Sequence, residues 1–249
     1  MIRLVVLLLL LATPIKAEQI VLGLSRDEVS ITATFEGSDI LVFGAVKREL
    51  PIPGDSNLGV IVTVAGPALP VTVRRKDRRL GIWVNTEGVE VDAAPSFYAV
   101  ATNAPMSDVL KDVEDLRYKI TIPRVIRSVG AVVDDSRAFT QALIRIRAGE
   151  GLYQVLEGAV DLEEETLFRT AITLPSNLIE GNYEAHIFLT RNGRVIDEYI
   201  TTIPVRKVGL ERWLYNLAHE QAFLYGLLSL TIAIAAGWSA SAAFNALRR

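Results

Sequence analysis

Arg74-Arg75-Lys76-Asp77-Arg78-Arg79 sets five positive charges within six positions. Cations at that density can hold an anionic surface, whether phospholipid headgroups, an acidic glycan or an acidic partner protein. The plainer alternative is a solvated strand end whose charges block edge-to-edge aggregation. Carboxylates gather at Asp112/Glu114/Asp115, Asp134/Asp135 and Glu163/Glu164/Glu165. Glycoside hydrolysis needs two carboxylates facing one another across a cleft, which chain spacing alone does not supply. Surface charge on helices or loops is their default role. The two histidines are His186 and His219. His186 falls in a strand pattern and suits a hydrogen-bonded structural role. His219, beside Glu220, stands where the chain would enter a membrane. It suits headgroup contact or a proton-sensitive element, since imidazole titrates near neutral pH.

Other chemistries are excluded by what is missing. The chain of 249 residues contains no cysteine. Disulfides, thiolate zinc sites, iron–sulfur clusters, thiol nucleophiles and a lipoprotein anchor are therefore ruled out. Two histidines cannot build a multi-histidine metal site. Neither the Gly-x-Ser-x-Gly elbow, the Walker phosphate loop, Gly-x-Gly-x-x-Gly nor His-Glu-x-x-His occurs. No cofactor, metal or enzymatic activity is expected.

The ends of the chain say where these residues work. Arg3 precedes the apolar run Leu4–Ala12, and Thr13-Pro14-Ile15-Lys16-Ala17 closes on a small residue. Residues 1–17 read as a signal peptide; the apolar run is far short of the roughly 20 residues a span needs. From Gln221 to Leu247 there are 27 residues without a charge. They make a helix of roughly 40 Å, ample for a hydrocarbon core of about 30 Å. The span is expected over residues 222–244, followed by a basic tail over 245–249. Arg248 and Arg249 should stay on the cytoplasmic side. Without residues 1–17 and those two arginines, the exported part carries a net charge of −7. An acidic exported body argues against nucleic acid, whose binding rests on phosphate neutralisation.

The elements between the ends must position the candidate residues. Val29, Ile31, Ala33 and Phe35 alternate with polar residues, as in a half-buried strand. Ile40–Val46 is an apolar run suited to a sandwich core. Pro51, Pro53 and Gly54-Asp55 mark a loop. Val60–Val64, Val71–Val73, Ile82–Val84 and Phe97–Ala101 continue the strand series. Val109, Leu110, Val113 and Leu116 then repeat at helical spacing after a Ser107 cap, with Pro123 as breaker. Phe139, Ala142, Leu143 and Ile146 give a second helix, with Ser136 as a possible cap and Gly149 and Gly151 at its end. Leu167–Leu174, Tyr183–Leu189 and Val195–Ile203 are strands, the last two joined by the hairpin signal Asn192-Gly193. Glu180-Gly181-Asn182-Tyr183 has the look of a tyrosine corner, with Ser96-Phe97-Tyr98 a weaker echo. The fold class is mainly β: two immunoglobulin-like β-sandwich units (18–103 and 152–207), a helical connecting segment (104–151), and a C-terminal transmembrane helix.

Residues 208–221 read as an amphipathic juxtamembrane helix. Leu210, Trp213, Leu214, Leu217 and Gln221 share one face and run continuously into the span. Trp213, Tyr215 and Tyr225 are candidate interface anchors. Within the span Ser229, Ala233, Gly237 and Ser241 recur every four residues. Such a stripe lets helix backbones approach closely, although an alanine-rich helix can contain one by chance.

The stretch from Val208 to Gln221, leading into Gly237-Trp238, is distinctive, as are Leu41-Val-Phe-Gly-Ala and Val71-Thr-Val-Arg-Arg-Lys-Asp-Arg. On these residues the chain resembles the putative transmembrane protein family of alphaproteobacteria, over nearly its whole mature length. The resemblance implies a bacterial inner-membrane protein with a single C-terminal span and its body in the periplasm. It transfers no catalytic residues. The expected role is a membrane-anchored, non-enzymatic accessory protein that supports a transporter or envelope assembly. Its partners would be the bilayer and another integral membrane or envelope protein. The alternative is a periplasmic binding or sensing domain for an anionic glycan or lipid headgroup, using the basic run.

Overall fold

A computed structural model describes residues 18–26, 28–32, 35–48, 57–127, 136–208 and 210–247. The expected signal peptide, the Pro51–Asp55 loop, Ala33, Asp134/Asp135 and the terminal arginines lie outside the described residues. The chain is mainly β, with 50% strand and 29% helix, and ends in a helix able to span a membrane.

Burial alternates along strands because successive side chains leave opposite faces. In Gly37–Arg48, Ile40, Val42 and Val46 are buried while Leu41, Phe43 and Lys47 are exposed. In Leu167–Pro175 the buried set is Phe168, Thr170, Ile172 and Leu174. Those inward faces require a covering layer, and Leu58–Ala65 supplies part of it as a continuous buried run of Val, Ile and Leu. A strand buried on both faces lies between two layers.

The strands are β1 (Glu18–Leu24), β2 (Val29–Ile31), β3 (Gly37–Arg48), β4 (Leu58–Ala65), β5 (Ala68–Arg79) and β6 (Ile82–Pro95), followed by β7 (Tyr98–Thr102), β8 (Tyr153–Leu156), β9 (Asp161–Glu163), β10 (Leu167–Pro175), β11 (Gly181–Arg191) and β12 (Arg194–Lys207). They form a four-stranded sheet in the order β1-β3-β10-β9 and a six-stranded sheet in the order β2-β12-β11-β4-β7-β8. A separate two-stranded sheet pairs β5 with β6. This corrects the expected partition into sandwich units 18–103 and 152–207. β3 pairs with β10, and β4 pairs with β11. Each large sheet thus draws strands from both halves of the chain. The physical reason is that β1 and β7 satisfy one edge of β3 and β4 respectively, and the ladder groups of the other edge are satisfied by β10 and β11.

Contacts divide the described residues into two compact units. One lies within Met1–Val29 and Glu36–Val205, the other within Ser30–Phe35 and Arg206–Arg249. In the first unit, the two large sheets are tied through the Ile20 amide, which donates to the Asp197 carboxylate at 3.0 Å. The opposite face of the six-stranded sheet carries short helices. Val109 approaches Gly59 so closely that a Cβ there would sit 2.9 Å from it. Tyr118 meets Phe188 edge-on, with ring centroids 5.7 Å apart.

The expected single helix through 109–116 is instead three short ones: Met106–Val109, Asp112–Tyr118 and Ile122–Val125. Leu110 is extended, and no Ser107 cap forms; Pro105 precedes the first turn. Val109 and Leu110 are buried while Val113 and Leu116 are exposed. Asp115 explains the break. Its carboxylate accepts from the Ile120 and Thr121 amides and from the Thr121 hydroxyl, at 2.7–3.0 Å. That side-chain competition for backbone donors ends the helix at a left-handed Lys119. Pro123 does not break a helix but sits in the first turn of Ile122–Val125, where its missing N–H costs nothing. The Ser136–Gly149 helix buries Phe139 and Leu143, leaves Ile146 exposed, and ends at Gly151 with φ +72°.

The Asn192-Gly193 turn has φ of 50° and 75°, the mirror-image geometry that two-residue hairpins require. The Tyr183 hydroxyl donates to the Ile179 carbonyl at 2.9 Å, the bond of a tyrosine corner. The suggested echo at Tyr98 fails, because its hydroxyl donates forward in the chain to the Ile120 carbonyl at 2.6 Å.

Candidate functional site

The basic run occupies the distal half of the long β5–β6 hairpin, which connects the neighbouring strands β4 and β7. The proximal half is packed: Val73, Val89 and Val91 are buried, and the Arg75 guanidinium lies over the Phe139 ring at 4.9 Å. Beyond Arg75 the hairpin has solvent on both faces, and alternation sorts the run. Arg75, Asp77 and Arg79 leave one face. There Arg75 pairs with Glu87 at 3.1 Å and Arg79 approaches Asp77 at 3.8 Å. Arg74, Lys76 and Arg78 leave the other face, and among the described residues no carboxylate pairs with them. Register places Trp83 opposite Arg78 and Ile82 opposite Arg79. The turn itself is Leu80-Gly81, both at positive φ.

The membrane-entry elements are Leu210–Glu220 and Ala222–Leu247. The helical assignment pauses at Gln221. The ladder nonetheless continues through it, with Gln221 donating to Leu217 and Tyr225 donating to Gln221. The candidate span is Ala222–Phe244, 23 residues with no part of its apolar window buried within the protein. Ser229 donates to the Tyr225 carbonyl at 2.9 Å and Thr231 to Leu227 at 2.8 Å. Their hydroxyls are thereby satisfied within the helix, as a lipid setting requires. Ser229, Ala233, Gly237 and Ser241 lie on this exposed helix, with nothing within 4 Å of a Cβ placed on Gly237. Trp213, Tyr215 and Tyr225 are exposed around the entry. His219 stacks on Tyr215 at 4.0 Å between ring centroids.

His186 sits between two carboxylates, 3.4 Å from Glu184 and 3.4 Å from Glu198. It borders a cleft of about 220 Å³ lined by Tyr98, Tyr118, Ile120 and Phe188. Among the described residues, no cluster of His, Asp and Glu is arranged to hold a metal ion. Members of two of the acidic clusters serve the fold. Asp115 ends a helix, Glu163 meets Arg169 at 3.7 Å, and Glu164 and Glu165 form a left-handed turn.

Two features escape the sequence reading. The first is a buried ion cluster. Glu18 is held by Arg191 at 2.5 and 3.0 Å and by Arg48 at 2.9 Å. Side-chain exposures are 8% for Glu18, 11% for Arg48 and 13% for Arg191. Burial works to raise the Glu18 pKa, but the hydrogen bonds and charges of the two guanidiniums outweigh it and hold the carboxyl below its ordinary 4.5. Glu18 and Arg191 are 173 residues apart, so no local signal marks the pair. The second feature is the outward face of the four-stranded sheet, where Val21, Leu41, Phe43 and Leu167 stand exposed on adjacent strands. The alternation that places Ile40 and Val42 inside puts Leu41 and Phe43 outside. That much was available in the apolar run Ile40–Val46. The buried tyrosines are structural: burial pushes the Tyr153 hydroxyl up to about 12 while it donates to the Pro95 carbonyl at 2.8 Å.

The family model described as Putative transmembrane protein (Alph_Pro_TM) matches residues 19–246. No curated protein matches the chain.

Proposed function

The chain belongs to this putative transmembrane protein family, and from that premise we propose that it is a membrane-anchored accessory protein that works by binding rather than catalysis. Its β body lies on the periplasmic side of a bacterial inner membrane, its C-terminus is cytoplasmic, and it supports a membrane complex such as a transporter or envelope assembly. The observation that carries the reading is the exposed apolar face of the four-stranded sheet, Val21, Leu41, Phe43 and Leu167, on a body tied to a membrane. Exposed apolar side chains gathered on neighbouring strands of one sheet face are what a protein partner covers. The buried ionisable groups point the same way, since Glu18, Asp115 and the tyrosine hydroxyls are all engaged in holding the fold.

The small-residue stripe is where an integral partner would pack. Replacing both Ala233 and Gly237 by leucine blocks close helix approach. The interhelical hydrogen bonds that close approach allows are worth about 1–2 kcal/mol in model peptides, so losing that approach should lower a partner's co-purification by about tenfold. The assay is affinity purification of the full chain from native membranes in mild detergent, with crosslinking before extraction. A stoichiometric integral membrane protein that is depleted in the double variant supports the proposal. Purification of the wild-type chain without any such partner counts against it.

A further inference from the structure

We propose that the distal β5–β6 hairpin is a second membrane-contact element, which seats its tip in the interface of an anionic bilayer. This rests on the transmembrane anchorage alone and not on the accessory role. The tip exposes three large apolar side chains: Leu80 at 104%, Ile82 at 64% and Trp83 at 68% of their full areas. Leu80 occupies a positive-φ turn position, φ 51°, where Asn, Asp or Gly is the ordinary choice. A turn built for water has no use for leucine there. A turn that enters lipid does, and tryptophan is a side chain that settles at the headgroup level.

Charge selects the lipid. The stretch from Arg74 to Glu87 carries five cations against two carboxylates, Asp77 and Glu87. Both carboxylates are engaged on the face that bears Arg75 and Arg79. Among the described residues no carboxylate pairs with Arg74, Lys76 or Arg78, which stand on the other face about 7 Å apart along the strand, with Trp83 across from Arg78. From Arg75, whose guanidinium still lies over the Phe139 ring, to Gly81 the hairpin extends about 20 Å at about 3.3 Å per residue. A projecting ribbon with an apolar end and a row of cations behind it matches a surface that is oily inside and phosphate-lined outside. An acidic protein groove would complement the cations but leaves Leu80 at the turn without a reason.

The test uses the full chain in lipid nanodiscs. Trp213 and Trp238, the other two tryptophans, are replaced by phenylalanine so that Trp83 alone reports. Discs are made either of phosphatidylcholine or with phosphatidylglycerol added, each with brominated acyl chains as quencher. In anionic discs Trp83 emission should shift to the blue and be quenched, whereas in neutral discs both effects should be weak. Each of Arg74→Gln, Lys76→Gln and Arg78→Gln should lower the inserted fraction by about fivefold. Leu80→Ser with Ile82→Ser should remove quenching in anionic discs while leaving the melting temperature of the body unchanged. Water-like, unquenched Trp83 emission in both disc types overturns the proposal, and leaves a protein partner or a solvated ribbon. Quenching equal in both disc types also overturns it, because the cations would then have no part.

Discussion

Glu18→Ala should lower folding stability by about 3 to 5 kcal/mol. Removing the carboxylate leaves the guanidiniums of Arg48 and Arg191 side by side, at 11% and 13% exposure, without the anion that lies between them. Glu165, 3.6–3.7 Å from both and itself a third exposed, offsets only part of the loss. At about 2–4 °C per kcal/mol for a body of this size, the melting temperature of the detergent-solubilised chain should drop by roughly 6–20 °C. Glu163→Ala provides the comparison. Its partner Arg169 is 61% exposed, so the change should cost under about 1 kcal/mol. The pH dependence follows from the direction of the shift. The folded carboxyl titrates below the unfolded value of 4.5. Its contribution is therefore fully present above pH of about 4.5 and is lost as pH falls through the lower folded value. Glu18→Gln should flatten that part of the acid limb. Equal melting temperatures for the wild-type chain and Glu18→Ala at pH 7 would show that the cluster does not hold β1 to the rest of the body.

The second large effect is expected in the span. Ile234 lies near its middle, exposed, and off the small-residue stripe. An arginine at the centre of a helix costs about 3 kcal/mol in membrane insertion, about a hundredfold in the inserted fraction. Ile234→Arg should move the protein from the carbonate-resistant membrane pellet to the soluble or degraded fraction, while Ile234→Ala should not. Retention of the arginine variant in the pellet at wild-type level would mean that this helix is not what fixes the chain to the bilayer.

Local patterns proved legible and distant pairings did not. Val60–Val64, Leu167–Leu174 and the Asn192-Gly193 hairpin are strands and turn as their alternation and φ demands indicate. The Ala222–Phe244 segment carries its meaning in composition alone. What failed depended on partners far along the chain. β3 chooses β10 and β4 chooses β11, so the two halves share sheets rather than folding side by side. Helical spacing at Val109, Leu110, Val113 and Leu116 misled because it cannot register Asp115 capturing the Ile120 and Thr121 amides. The basic run was visible as charge, but its division into a paired and an unpaired face needed the hairpin register. The apolar Leu80 at its turn acquired significance only when the turn placed it fully in the open.

Protease treatment of intact spheroplasts tests the topology most directly, with an epitope placed after Arg249. The β body should be digested from outside while the epitope stays protected until the membrane is broken. A body that survives while spheroplasts remain sealed, or an epitope lost before lysis, would contradict it.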